Sequence, residues 1–432
     1  MDFSELSVEC LLTKLVELGF DQTREERSCK FTDRDFVQLG CQRVLGSFQS
    51  GRDFLQHQHE VEQAKIARST FFKALQSSRR LQVCEDVSRG ILKVLNEQMD
   101  TLEVDYLKQF SALNEYEVYA GDGHFIEHAC HTKLIDSKKE QRRTGKLPKL
   151  HAAGLIYMQN LRNGLLSLFA PVSDGTRKNH EMPIFRNHYE KFKAQTNKRV
   201  IYVLDRAYVD KVWWSRKMGP NVDFISRSKS NFSLTMCGDM GFDDNKEINQ
   251  GVKRDFLAGL GGNSAAFRFI DYKDPETGNT YQFYTSNMDL EPGLIAWLYF
   301  KRWTIEKTYD TSKNSLCEQK AWATGEGALQ VQAHFICVVY NILRFINEIT
   351  LKSMDEDEKI SYRKKYADWI KKREEKAIKK GRSINLLLKN SLRMPKIAIQ
   401  FIRFLKNNFH SPLPLRRLLP ILRLRLINYV AF

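Results

Sequence analysis

Over the first 110 or so residues apolar positions recur every three or four places and strand-like runs are few, which predicts a helical region. Within it, EQAKIARSTFFKALQSSRRLQV (62–83) predicts two helices with a break near Arg68 to Thr70. Ser69 or Thr70 caps the second, which puts Lys73 in its first turn. The period changes at Glu117. VYAGDGHFIEHACH (118–131), LHAAGLIYMQ (150–159) and GLLSLFAPVSD (164–174) read as strands, the last two joined by a turn at Asn163 and Gly164. A helix over roughly 183–197 follows, then VIYVLD (200–205), an apolar run without alternation that suits a strand buried on both faces. A further helix and the strand VDFISRSK (222–229) complete a series of three hairpin strands, helix, strand, helix, strand.

That order predicts an α/β fold with a ribonuclease-H-like core, in which carboxylates from the first and fourth strands meet at the centre of the sheet. Residues from about 230 to 288 are rich in Gly and Asn with β segments, and AAFRFIDY (265–272) and TYQFYTSN (280–287) flank the turn DPETGN. They read as a β subdomain inserted into the core. Helical periodicity returns at Pro292 and runs to about 350. The expected divisions are therefore a helical region at 1–114, whose helix pair suits either a helix-turn-helix DNA reader or an ordinary bundle, the ribonuclease-H-like domain at 115–350, and a basic helical region at 351–432.

Charge narrows the partners. The net charge is +16, and residues 361–432 alone hold 19 Lys and Arg against three acids. A surplus of that size points to an anionic polymer or surface, nucleic acid first. KKREEKAIKKGR (371–382) and LRRLLPILRLRL (415–426) read as phosphate-contacting helices or as solvated helix faces. The eight cysteines are scattered with no C-x2-C pair, which excludes the common zinc-ribbon spacing and suits a reducing compartment. Cys130 and His131, near His124 and His128, read as alternating strand side chains rather than as metal ligands. The start of the chain lacks the basic and apolar blocks of a signal peptide. Ala333 to Ile346 is too short and too polar to span a bilayer, so a buried core helix is expected there, in a soluble intracellular protein.

Candidate chemistry concentrates in LYFKRWTIEKTYDTSKNSL (298–316). Tyr299, Arg302, Glu306 and Lys313 fall within roughly a 60-degree arc of a helix. One carboxylate, two cations and a phenol thus share a face, as a divalent metal flanked by phosphates requires. The alternative is a salt-bridged surface helix, since Arg302 and Glu306 are an i,i+4 pair. Two isolated acids weigh against it: Asp122 lies between two glycines on the first strand, and Asp205 ends an apolar strand.

AGDGHF (120–125), VLDRAY (203–208) and the Y-x2-R-x3-E-x6-K spacing resemble the three catalytic segments of the IS4-type insertion-sequence transposases, over about residues 115–350. The resemblance implies a DDE transposase in which Asp122 bridges two Mg²⁺ ions, Asp205 ligates one and Glu306 the other, with Mn²⁺ able to substitute. It implies Arg302 and Lys313 on end phosphates and Tyr299 at the terminal nucleotide. The implied partners are double-stranded DNA, as terminal inverted repeats and as target, and a second copy of the chain in a synaptic complex. The implied setting is the bacterial or archaeal cytoplasm, associated with the nucleoid, with no membrane.

Further residues are read individually. Arg227 and Lys229 alternate on one strand and are expected to contact DNA, as are Arg68 and Lys73. Some members of that family flip a base onto a Trp in the insertion. This insertion has none, and Tyr272, Phe283 and Tyr284 are the aromatic residues available to stack. Tyr208 is expected to pack, and Asp210 and Asp310 to be solvated helix-face charges. Two other functions share these residues: a ribonuclease-H-like nuclease that does not join DNA, and a transposase-derived DNA-binding protein without catalysis.

Overall fold

The structure is a computed structural model. It describes residues 3–20, 31–46, 48, 50–60, 66–126, 153–172, 181–190, 196–217, 221–260, 266–315, 321–323, 325–384, 404–405 and 407–429. For 124–126, 153–154, 172, 216–217, 304, 306–315, 326 and 428–429 it describes the backbone only.

Helices α1 (Val8–Gly19), α2 (Asp33–Leu45), α3 (Gly51–Glu60), α4 (Arg68–Leu75) and α5 (Ser78–Thr101) come first. Strands β1 (Tyr116–Ile126), β2 (Ala153–Asn160) and β3 (Leu166–Val172) follow, then α6 (Glu181–His188), β4 (Arg199–Leu204), α7 (Lys211–Lys217) and β5 (Val222–Arg227). The predicted alternation of the core is therefore observed. It arises because Val200 to Leu204 and Val222 to Ile225 are apolar at every position but Asp223, so each strand is covered on both faces.

Strands β6 (Leu234–Asp239), β7 (Val252–Leu260), β8 (Ala266–Lys273) and β9 (Thr280–Thr285) do not form a separate sheet. β9 pairs antiparallel with β5, giving one nine-stranded mixed sheet ordered β3-β2-β1-β4-β5-β9-β8-β7-β6. β1, β4 and β5 run parallel, and the other pairs are antiparallel. The β8–β9 turn is closed by Gly278 N–H donating to Asp274 C=O at 2.8 Å, with Gly278 at φ 75°.

Side chains alternate between two apolar layers. Val118, Ala120, Ile201 and Val203 face helices α8 (Pro292–Ser315) and α9 (Glu326–Lys352). Tyr119, Val200, Tyr202 and Leu204 face Phe185 of α6 and Trp214 of α7. The first layer also takes in α1 to α5 and the tail helix α10 (Leu415–Tyr429), so the N-terminal helices share a core with the sheet. Helix α9 contains the apolar run from Ala333 to Ile346. Its membrane-length stretch, Gly327–Lys352, is 89% buried inside the fold, in keeping with a core helix.

A helix does begin at the predicted break, at Arg68, but behind Ala67 and without a side-chain cap from Ser69 or Thr70. A second break, not predicted, falls at Gln76 and Ser77, where Ser77 Oγ accepts from Arg80 N–H to cap α5. Lys73 is therefore in the last turn of its helix, not the first. The two arginines that open α5 are engaged within the fold. Arg79 grips Asp33 with two hydrogen bonds of 2.6 and 2.7 Å, and Arg80 donates to Phe31 C=O at 2.6 Å.

Candidate active site

Strand register brings the first two predicted acids together. β1 and β4 pair in parallel from Tyr116 with Arg199 to Gly121 with Leu204. The next residue in β1 is Asp122 and the first beyond β4 is Asp205, so the register sets the two acids side by side where these strands adjoin. Asp205 ends its strand in a charge because its Oδ1 accepts Ala207 N–H at 2.6 Å and opens a tight turn over Arg206–Tyr208. Ser226 Oγ on β5 donates to the Asp205 carbonyl at 3.0 Å and fixes that corner. Asp122 Oδ1 accepts the N–H of Gly123 at 3.0 Å.

The flanking glycines have different reasons. A Cβ at Gly121 would stand 2.7 Å from Leu204 Cδ2 and 2.8 Å from Met158 Sδ, so packing forbids one. A Cβ at Gly123 would stand 1.9 Å from Oε1 of Glu181, the first residue of α6. Glu181 is thus a third acid at this corner, and the sequence reading missed it. Burial first, then the charges of Asp205 and Asp122, push its carboxyl up to about 8, while Arg302 opposes the shift. The one signal in the sequence was the glycine itself, which announces a close approach without saying by what.

Helix α8 crosses the Asp122 face of β1, β4 and β5. Arg302, only 4% exposed, places Nη1 3.8 Å from Asp122 Oδ2. Its guanidinium stands 5.3 Å from the ring of Tyr299, one turn back along the helix. Tyr299 is itself buried against Phe283, and burial raises its phenol above the usual range. Glu306 and Lys313 lie further along α8; their side chains, with those of His124 and Asp310, are outside the described residues, as are residues 128–131.

Beyond the Asp205 turn, Arg206, Arg227, Lys229, Lys253 and Lys273 surround a cavity of about 840 Å³ with Tyr281 on its wall. Arg227 lies 4.9 Å over the Tyr281 ring. Arg227 at the end of β5 and Lys229 just beyond it therefore share one space, which reaches the Asp205 turn at Arg206. The predicted stacking residues do not serve: Phe283 and Tyr284 are fully buried and Tyr272 is 2% exposed, because β8 and β9 are covered on both faces. Tyr208 packs, as expected, at 1% exposed. Asp210 pairs with Arg186 and accepts Trp213 N–H at 3.0 Å, and so helps anchor α7 rather than standing free in solvent. Arg68 and Lys73 are exposed on α4, which packs on α5 and α9; the elements that build this site do not include it.

The donor set suits a hard divalent cation: the carboxylate oxygens of Asp122 and Asp205, held by the sheet and by the Ala207 turn, with Arg302 beside Asp122. Among the described residues no three His, Cys, Asp or Glu side chains converge closely enough to hold an ion by themselves. Asp122, Asp205 and Glu181 nonetheless interact electrostatically across the cleft.

A family model described as a transposase DDE domain matches residues 113–342. No curated protein matches. Among solved structures, the cryo-EM structure of a piggyBac transposase synaptic complex with hairpin DNA aligns over 95% of this chain and 82% of that chain, at 11% identity and a TM-score of 0.38. That likeness is too loose to carry any argument.

Proposed function

Because the chain belongs to the transposases with a DDE domain, we propose that it cuts DNA at the ends of an insertion sequence and joins those ends to target DNA, as the IS4-type enzymes it resembles do. The observation that carries this reading is the register of β1 and β4, which sets Asp122 beside Asp205. Strand order β3-β2-β1-β4-β5, with β1, β4 and β5 parallel, supports a ribonuclease-H-like core spanning 115–350 between a DNA-binding region at 1–114 and a basic region at 351–432.

In this reading Asp122, Asp205 and Glu306 hold divalent cations, Mg²⁺ first and Mn²⁺ as substitute. Held there, they would supply activation of the attacking oxygen and stabilisation of the leaving one. The chain's own residues then have separate tasks. Asp205 keeps its carboxylate fixed through the Ala207 amide. Arg302 offsets the charge of Asp122 and, with Lys313, holds phosphates at the element end; Tyr299 keeps Arg302 in place and borders the terminal nucleotide. Arg227 and Lys229, with the cavity they line, take further backbone phosphates. Arg68 and Lys73 supply contacts from the N-terminal region, and two copies of the chain act on two DNA ends.

The test is product analysis. Purified protein with Mg²⁺ and labelled DNA carrying the element's terminal repeats should give joined products as well as cut ends. Cut ends alone would favour a nuclease that does not join. Repeat-specific binding without cleavage under any divalent metal would favour a catalytically silent DNA-binding relative.

A further inference from the structure

We propose that Glu181 is an additional carboxylate of the active site, which helps hold the divalent cation either directly or through bound water. The inference rests on the reading of Asp122 and Asp205 as metal ligands. Two independent observations carry it.

The first is position. The Glu181 carboxylate occupies the space a side chain at 123 would take, immediately beside Asp122. It is delivered there by α6, which packs on the Asp205 turn and on β3 and is tied down by the Arg186–Asp210 ion pair. An acid in the first turn of a helix is ordinary. This one, however, is largely buried and faces two other acids, and among the described residues it makes no hydrogen bond or ion pair. A buried carboxylate so placed is costly to the fold. A position kept only for packing would be filled by an apolar residue.

The second is Tyr208. It is 1% exposed, and its hydroxyl has no hydrogen-bond partner. That hydroxyl feels Glu181 most strongly of the nearby charges, then Asp122 and Asp205. An unsatisfied buried hydroxyl within the electrostatic reach of these carboxylates is suited to orient one of them, or a water between them. Carboxylate oxygens are the ordinary donors to Mg²⁺ or Mn²⁺, and a tyrosine that orients one of them is a positioning residue of the kind that tunes such sites.

The experiment is direct Mn²⁺ binding to the full chain by calorimetry, without DNA, comparing wild type with Glu181→Gln, Gly123→Ala, Tyr208→Phe and Asp122→Asn. Glu181→Gln should weaken Mn²⁺ binding by roughly tenfold or more. Gly123→Ala should do the same, because it retains the carboxylate but displaces it. Tyr208→Phe, which removes only the hydroxyl, should give a smaller loss in the same direction. Wild-type affinity in Glu181→Gln and Gly123→Ala, with binding lost in Asp122→Asn, would overturn this inference and leave the reading of Asp122 standing. Wild-type affinity in Asp122→Asn would overturn that reading, and this inference with it.

Discussion

Arg302 Nη1 stands 3.8 Å from Asp122 Oδ2, the arginine almost wholly buried and the carboxylate 18% exposed. The protein thus answers part of the Asp122 charge from α8, and a divalent cation at that carboxylate would share it with the arginine. Arg302→Gln should therefore lower stability in chelator by about 1–3 kcal/mol, because a half-buried carboxylate loses its counter-charge. The same variant should gain more in melting temperature from Mn²⁺ than wild type does. Calorimetric melts with and without metal check both; an unchanged melt would deny the pairing.

Asp205→Asn should separate chemistry from folding. The asparagine Oδ1 can still accept Ala207 N–H, so the turn over Arg206–Tyr208 survives. Stability should change by less than about 1 kcal/mol, the usual worth of one such bond. End cleavage should fall on the order of 10³-fold or more, the scale seen when transition-state charge loses a preorganised partner. Melting curves beside single-turnover cleavage rates measure both halves.

The basic cavity yields a salt dependence. If Arg227 and Lys229 meet DNA phosphates, replacing each with Gln should flatten the slope of log affinity against log salt by about one unit for each phosphate no longer neutralised. The weakening should be uniform across DNA sequences. A slope equal to wild type would remove these residues from the interface.

Lys301, beside Arg302 in sequence, has a different role. Burial drives its ammonium down to about 8, and it lies 5.5 Å from the rings of Tyr106 and Trp297. In the unfolded chain a lysine releases its proton near 10.4. Between those values the unfolded state binds more protons, so stability should rise with pH from about 8 to about 10.4. The cost is fully present below 8. Lys301→Met should accordingly raise stability at pH 7 by about 1–3 kcal/mol and flatten that rise. Denaturant melts at pH 7 and pH 10 would show it; a destabilised variant would mean the two rings hold the ammonium better than its burial penalises it.

Much of the core was legible because its strands are buried on both faces, and such burial writes itself as uninterrupted apolar runs such as VIYVL. An acid at the end of such a run, or between two glycines, has few structural reasons to be there, which singled out Asp205 and Asp122. What stayed hidden depends on distant pairing. Glu181 sits in a short helix with no motif around it, and becomes part of the site only through α6 and the space above Gly123. The insertion looked like its own subdomain because the pairing of Arg227 with Phe283, which fuses it to the sheet, leaves no local trace. The same pairing buries Phe283 and Tyr284. In the N-terminal region Ser69 and Thr70 were the expected caps, and the further boundary at Ser77, with Arg79 and Arg80 engaged inside the fold, depends on tertiary packing that leaves no local trace.

The central claim is that Asp122 and Asp205 form one metal-dependent cleavage centre. Its most direct measurement is end cleavage of repeat-bearing DNA in Mg²⁺ by wild type, Asp122→Asn, Asp205→Asn and, as a control acid exposed on α1 and paired on its own helix with Lys14, Glu17→Gln. Wild type and Glu17→Gln should cleave and the other two should not, all four still binding the repeats. Cleavage persisting in either Asp122→Asn or Asp205→Asn would contradict it.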